Sequence, residues 1–558
     1  MSHDIAYHDE ANTFSVLIGS KQNANPGQFK AEQPAPWEYR AKLVIKEYPK
    51  SIDEFLKVFV ASEERCPHIK SKGLFQSSNG FKGQGDDFAQ QLVEGLNAMS
   101  FELPEAKGLD FVNTVGETIV FRDEDNVTQG PASSPAIVAS YPGIRFQGGR
   151  VPKWHQISIA LQVRLRKDED PVGRYANRDE ETLFELLQTA RNILVTGRTL
   201  FAFVVGIYGN TARIFRVDRT GVVVSQSFNY IVRPNLFREF LWRFTHPTVG
   251  GMFVGADPSV SLPTEQDLHW ARQILHKQNM TDVYLEASRW VAIEMPDKSR
   301  KKFLTAKPAS ISLDLFARGT NVCLVIQQSS TNGKLQVLKE SWCDTKHEPE
   351  IKFYEEIRVR NPGKLFGVAD FICGQDLGKA ETDRLVALGT ASGTLPAAAS
   401  TQNAAPRLTI RLPAARIART RMQTRSSKND CPPPPVAPGH NTVAHWDHRK
   451  HAADHANRRS HMRLLYNTIG RELTNITSTR ELAEGIRDAI KGHRTVFEAG
   501  VLHRDISEGN VMIADGEEFK GFIHDFDMAM LRENEPDRSG AIYVSFVTYA
   551  PTFADVCL

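Results

Sequence analysis

Apolar positions recur along this chain in two periods. Between residues 178 and 196 (RDEETLFELLQTARNILVT), Leu183, Leu186, Leu187, Ala190 and Leu194 fall on one face at helical spacing. A second amphipathic helix is predicted at the end of residues 80–96 (GFKGQGDDFAQQLVEGL). After residue 198 the pattern becomes that of a β-meander. Thr199–Tyr208, Ala212–Val217 and Val222–Val224 read as strands, with turns at Gly209-Asn210 and Asp218–Gly221. Residues 110–165 also read as strand-rich, with Gly and Pro breaks, and there is no internal repeat. The most apolar run, Leu200 to Gly209, is closed off by Arg198 and Arg213. It is too short to cross a bilayer, which needs about 20 apolar residues.

The periodicity lapses over residues 378–460, which are rich in Ala, Thr, Arg and Pro and include Pro432–Pro435. From Thr401 to Ser460 there are 11 Lys+Arg against three Asp+Glu. This stretch is expected to be a disordered basic insertion, with structure resuming at His461. Composition otherwise changes little. At about 150 residues per domain, 558 residues allow roughly three or four domains. A net charge of +2 gives no global reason to expect nucleic acid or an anionic membrane as partner. The six cysteines lack CxxC spacing, which fits a reduced intracellular compartment and argues against a zinc ribbon. The N-terminus lacks the build of a signal peptide, so a cytoplasmic or nuclear location is expected.

The sharpest chemical signal is VLHRDISEGNVMI, residues 501–513. His503-Arg504-Asp505 is followed five residues after the Asp by Asn510, and Asp525 follows in GFIHDFDMA. That spacing is the one a phosphotransferase loop requires. One carboxylate (Asp505) must take the acceptor hydroxyl's proton, while Asn510 and Asp525 hold Mg²⁺ against the ATP phosphates. Ser478-x-x-Glu481 predicts a capping box opening a helix, with Leu482, Ile486, Ile490 and Phe497 facing inward and Gly500 at its C-terminal end. Val511–Ile513 and Gly521–Ile523 predict a hairpin returning Asp525 to Asn510. Upstream, VLKESW puts Lys339 on an apolar strand, and Glu350 of the following helix is its expected ion-pair partner, with Glu355 the alternative. LFARGTNVCLV (315–325) sits where a phosphate loop belongs, with Gly319 and Thr320 as its candidate backbone contacts.

These segments together resemble the fungal-type protein kinase family. HRDISEGNVMI with IHDFDMA is similar to that family's catalytic and metal loops, with Asp527 at the usual DFG glycine. LFARGT resembles its glycine loop, VLKESW its lysine strand, and MRLLYNTIGREL with the helix after it its hinge region. RTLFAFVVGIYGNTARIFRVDRTGVVVSQSFNY resembles the strands ahead of its kinase core. The resemblance covers roughly residues 90–375 and 458–541. It implies a bilobal fold, ATP and Mg²⁺, and transfer to Ser or Thr hydroxyls of a protein substrate. Ala317 and Ser507 depart from the general kinase pattern, although the family shares the serine.

The expected fold class is α+β. A variable region (1–89) and a mixed α/β domain (90–300) precede a kinase N-lobe (301–377), the insertion (378–457), the catalytic segment (458–541) and a divergent tail (542–558). The resemblance implies a helical C-lobe of on the order of 100 residues beyond Asp527, where 31 remain. An incomplete C-lobe is therefore expected. Three functions stay open: a serine/threonine protein kinase, a pseudokinase or fragment acting as a binding module, and a small-molecule phosphotransferase suggested by Gly509-Asn510. Arg504 argues against the last.

Weaker signals remain. Residues 134–167 have the shape of a degenerate nuclease-like sheet, but Ala136 and Gln162-Val163-Arg164 stand where metal ligands would be needed. A plain sheet scaffold is the better reading. His440, His445, His448, His451, His455 and His461 cluster in or beside the insertion; neutral imidazoles can bind Zn²⁺ or Ni²⁺, but no cysteine or carboxylate completes a recognisable site, so solvated disorder is expected there. The Arg-rich residues 407–425 have the composition of a nuclear-import or nucleic-acid patch, but a solvated basic linker is the better reading, and TRSSK (424–428) offers a phosphorylation pattern too common to count.

Overall fold

The computed structural model describes residues 45–67, 74–75, 85–121, 130–148, 150–172, 180–248, 250–281, 283–330, 333–391, 439–442 and 458–534. Among them is a mixed α+β arrangement of several sheets.

The first sheet is built from β1 (Ile45–Glu47), β2 (Phe111–Asn113), β3 (Ile137–Ser140), β4 (Ile157–Arg164), β5 (Ala202–Tyr208), β6 (Thr211–Val217), β7 (Val222–Val224) and β8 (Phe228–Asn229). Its order is β1-β7-β6-β5-β4-β3-β2, with β8 paired to β6. Helices α1 (Ile52–Phe59), α2 (Gly85–Phe101), α3 (Glu180–Gly197) and α4 (Asn235–Thr245) cover both faces. β4 and β5 run parallel, joined across α3. Ile159, Leu161, Phe203 and Val205 pack under α2 and α4, while Ala160, Ala202 and Val204 pack under α3. Two covered faces explain why the β5 region reads as a continuous apolar run.

The second sheet contains β9 (Val260–Ser261), β10 (Trp290–Glu294), β11 (Arg300–Ile311), β12 (Asn321–Gln327), β13 (Leu335–Asp344), β14 (Phe371–Asp376) and β15 (Arg459–Tyr466). Its order is β9-β10-β11-β12-β13-β15-β14, antiparallel throughout, so it begins well before residue 301. Helix α5 (Glu265–Lys277) covers one end through Leu268, Ala271 and Leu275 against Trp290, Leu304 and Ile326. Helix α6 (Glu350–Arg360) packs near β14 and β15 through Phe353, Tyr354 and Ile357. Leu315 and Phe316, just ahead of β12, insert into the core formed by α3. The loop before β12 is thereby anchored to the first sheet.

Residues 378–391 are not structureless. Helix α7 (Leu377–Ala391) continues from β14, and Asp376 accepts the Lys379 amide at 2.8 Å at its start. The Glu381 carboxylate takes the backbone N–H groups of Gly439, His440 and Asn441 at 2.9, 3.0 and 3.2 Å. The expectation of disorder is therefore wrong for both segments. Weak apolar periodicity hid a helix that Glu381 and Asn441 tie to residues 439–441. The Arg-rich run, TRSSK, His445, His448, His451, His455 and residues 542–558 lie outside the described residues.

The last segment comprises β16 (Gly470–Glu472), helix α8 (Thr479–Glu498), β17 (Val511–Ala514) and β18 (Gly521–Ile523), the three strands forming a sheet in that order. Ser478 Oγ caps α8 at the Glu481 amide (3.2 Å). Glu481 reaches back to the amide of Thr477, not to that of Ser478, so the predicted capping box is only half formed. Gly500 follows the helix at φ +80°, a left-handed conformation suited to glycine.

The inward face of α8 is not the predicted one. Ile486, Ile490 and Phe497 are 40%, 62% and 41% exposed, and Leu482 is only partly buried. Gly485, Asp488, Ala489, Gly492 and Val496 face the protein instead. Small residues win because backbone approaches backbone. A Cβ on Gly492 would lie 1.9 Å from the carbonyl oxygen of Gly367, and one on Gly521 would lie 2.2 Å from that of Gly485. Gly492→Ala is expected to lower stability by about 1–3 kcal/mol or more, seen as a lower urea midpoint. An unchanged midpoint would mean that this helix does not sit so close.

Buried His155 gives the first sheet a pH dependence. Burial, with Arg289 nearby, pushes its imidazole down to about 4. The unfolded chain then binds a proton that the folded chain refuses between pH 6.5 and about 4. Stability should fall across that window as pH drops. His155→Gln should flatten the slope by at most about 1.4 kcal/mol per pH unit, measured by urea unfolding at stepped pH.

Candidate active site

Lys339 lies in the middle of β13, where the sheet buries its side chain. Its ammonium donates to Glu350 Oε2 at 2.6 Å, Asp525 Oδ1 at 2.9 Å and Asp527 Oδ2 at 3.2 Å. Glu350 opens α6 and is 1% exposed. Its other oxygen accepts from the Tyr466 hydroxyl at 3.2 Å and the Phe526 amide at 3.1 Å. Glu355, the alternative partner, is exposed, and it is Glu350 that pairs with Lys339.

One ammonium cannot serve these carboxylates equally. Burial works against the charged Lys339, but Asp525, Asp527 and Glu350 outweigh it and hold its pKa well above the usual lysine value. Burial also opposes ionisation of Asp525, yet the Lys339 ammonium keeps that carboxyl below its ordinary range. Glu350 is the loser. Burial, with two further carboxylates on the same ammonium, pushes it up to about 8 despite Lys339.

Asp525 is set by the hairpin. β17 and β18 pair Val511 with Ile523, and the His524 amide donates to the Asn510 carbonyl at 3.2 Å. Asp525 itself has φ +66°, an uncommon conformation for a non-glycine residue. Arg504 has φ +67° and is exposed, with its guanidinium 3.7 Å from the Met530 sulfur. Asn510 is buried, and its Nδ2 donates to both the carbonyl (2.9 Å) and Oδ2 (3.0 Å) of Asp505. That orients the Asp505 carboxylate and leaves Asn510 Oδ1 as an acceptor. His503 is buried against Phe526, and its Nε2 donates to the His524 carbonyl at 3.0 Å. Burial pushes its imidazole down to about 4, so it acts as a neutral brace between the two loops.

The loop before β12 contributes differently. Gly319 (φ +53°) is tucked against the Arg219 guanidinium, where an added Cβ would meet it at 2.5 Å. Gly319 and Thr320 line a small cavity with Arg198, Glu340 and His461. Glu340 lies on the opposite face of β13 from Lys339. Neither Gly319 nor Thr320 therefore joins the Lys339 cluster. Arg318 does, through a 2.9 Å ion pair to Asp527 Oδ2. Arg318 was missed in the sequence, although it directly precedes the glycine that was chosen.

The first-sheet positions of the nuclease-like pattern offer no second site. Gln162 and Arg164 both hydrogen-bond to Glu185 of α3, and Ala136 is buried. Glu350, Asp525 and Asp527 together place ligand oxygens within 4.8 Å of one another, enough to hold a metal ion.

A strand lysine paired with a helix glutamate, ahead of an HRD loop and a second aspartate, is the pattern of protein-kinase-like phosphotransferases. A family model described as Fungal protein kinase matches residues 147–547. The chain belongs to that family. No curated protein matches it. No helix among the described residues is long and apolar enough to cross a membrane.

Proposed function

We propose that this chain is an ATP- and Mg²⁺-dependent protein kinase of the serine/threonine type. The observation that carries the reading is the Lys339–Glu350 pair meeting Asp525 at 2.9 Å, which joins strand, helix and catalytic segment in one site. Lys339 would contact the α/β-phosphates, with Glu350 holding it in place. Asp505 would accept the hydroxyl proton, with Asn510 orienting it. The donor set suits Mg²⁺, since Asn510, Asp525 and Asp527 supply oxygen ligands. When bound, the ion would offset charge on the β- and γ-phosphates.

A second reading, nucleotide binding without transfer, draws on Arg318. Its guanidinium and Lys339 already pair with the Asp527 carboxylate. Titration calorimetry of Mg²⁺-dependent ATP binding, on the chain and on Asp525→Ala, tests both readings. Binding lost in the variant supports a nucleotide site at this cluster, and phosphotransfer to protein then separates kinase from binder. No binding to the folded wild-type chain would sink both.

A further inference from the structure

On the far side of β13 from Lys339 lies a second cluster that the phosphotransfer reading does not use. Asp257, which precedes β9, His440 of the segment 439–442 and His461 of β15 each bring a ligand atom within 4.8 Å of the others. Asp257 and His461 are 2% and 5% exposed. Nδ1 of His440 and Nδ1 of His461 are 3.1 Å apart. Two ligand nitrogens on a tetrahedral zinc ion, each about 2.0–2.1 Å from it, lie about 3.3 Å apart.

We propose that Asp257, His440 and His461 form a binding site for a divalent transition-metal ion, best matched by Zn²⁺. The surroundings orient each ligand. The His461 ring stacks on Trp342 (centroids 4.8 Å) and the His440 ring stacks on His461 (5.4 Å). The outer nitrogen of His461 faces Glu340 Oε1 at 4.0 Å, beyond hydrogen-bond distance, and that oxygen is held by Arg463. Asp257 is aimed by the Ser259 amide (2.8 Å) and hydroxyl (2.6 Å) and by Arg463 (3.0 Å).

The charge balance limits affinity. Arg198 and Arg463 offset Glu340 and Asp257, so the ion's own charge needs an anionic fourth ligand or a loosened Arg463. Binding should be weaker than at a closed four-residue structural site. Its effect would be to clamp residues 439–442 onto β15, reinforcing the His461 amide bond to the His440 carbonyl (3.0 Å) and the hold of Glu381.

Equilibrium dialysis of the full chain against Zn²⁺, with excess Mg²⁺ present to occupy the other carboxylate cluster, tests the site. The expected result is one zinc ion retained by wild type and by a variant with His445, His448, His451 and His455 all changed to Ala. His440→Gln and Asp257→Asn should each weaken binding by at least about tenfold. Unchanged binding in His440→Gln, or loss in the fourfold variant, would overturn the proposal. Should His440→Gln fail to fold, Co²⁺ added to the wild-type chain decides: intense tetrahedral visible bands support the site, and weak or absent bands reject it.

Discussion

Lys339→Met should destabilise the protein by about 3–5 kcal/mol and abolish nucleotide binding. The Lys339 side chain is 7% exposed, and its ammonium donates to Glu350, Asp525 and Asp527 at once. Methionine keeps much of the volume, so packing loss is a minor part of the effect. What remains is three acidic groups in a largely buried cluster, with Arg318 ion-paired to Asp527. Such charge is costly when unpaired, and the groups respond by taking up protons. The destabilisation should therefore be large at pH 7 and shrink toward pH 5. Urea unfolding at both values measures it. Glu350→Gln in the Lys339→Met background should recover part of the loss, because it removes the most buried of the three acidic groups. A change of less than about 1 kcal/mol at pH 7 would mean that water reaches the cluster freely.

The order of parts along the chain made the site readable. A lysine on an apolar strand, an acid at the start of the next helix and an HRD loop before a hairpin are each local patterns, and they recur in a fixed sequence. The distant contacts were not readable. Arg318 lies 209 residues from Asp527, and nothing local marks the arginine rather than Gly319 as the residue that reaches the aspartate. Asp257 is equally remote from His440 and His461. It therefore stayed invisible while the histidines were judged by their sequence neighbours alone. The inward face of α8 failed for a different reason. Periodicity weighs large apolar side chains, whereas Gly485 and Gly492 bury that helix by bringing backbones together. The covered β5 strand posed no such difficulty, because both of its faces meet apolar helices.

Asp505→Asn should lower the phosphotransfer rate by about 10²–10⁴-fold while leaving Mg²⁺-dependent ATP binding intact. The substitution is nearly isosteric, and Asn510 Nδ2 can still donate to the backbone carbonyl of residue 505 at the 2.9 Å seen here. What the amide cannot do is take a proton from an incoming hydroxyl. Asn510→Ala should behave differently, because it removes both the donor that aims Asp505 and an oxygen suited to the metal. It should weaken Mg²⁺-dependent binding as well as rate. Measuring rate and binding in parallel thus separates proton acceptance from nucleotide positioning. If Asp505→Asn transfers phosphate as fast as wild type, Asp505 is not the base. If both variants lose binding equally, the HRD loop positions nucleotide, and the chemistry must be assigned elsewhere.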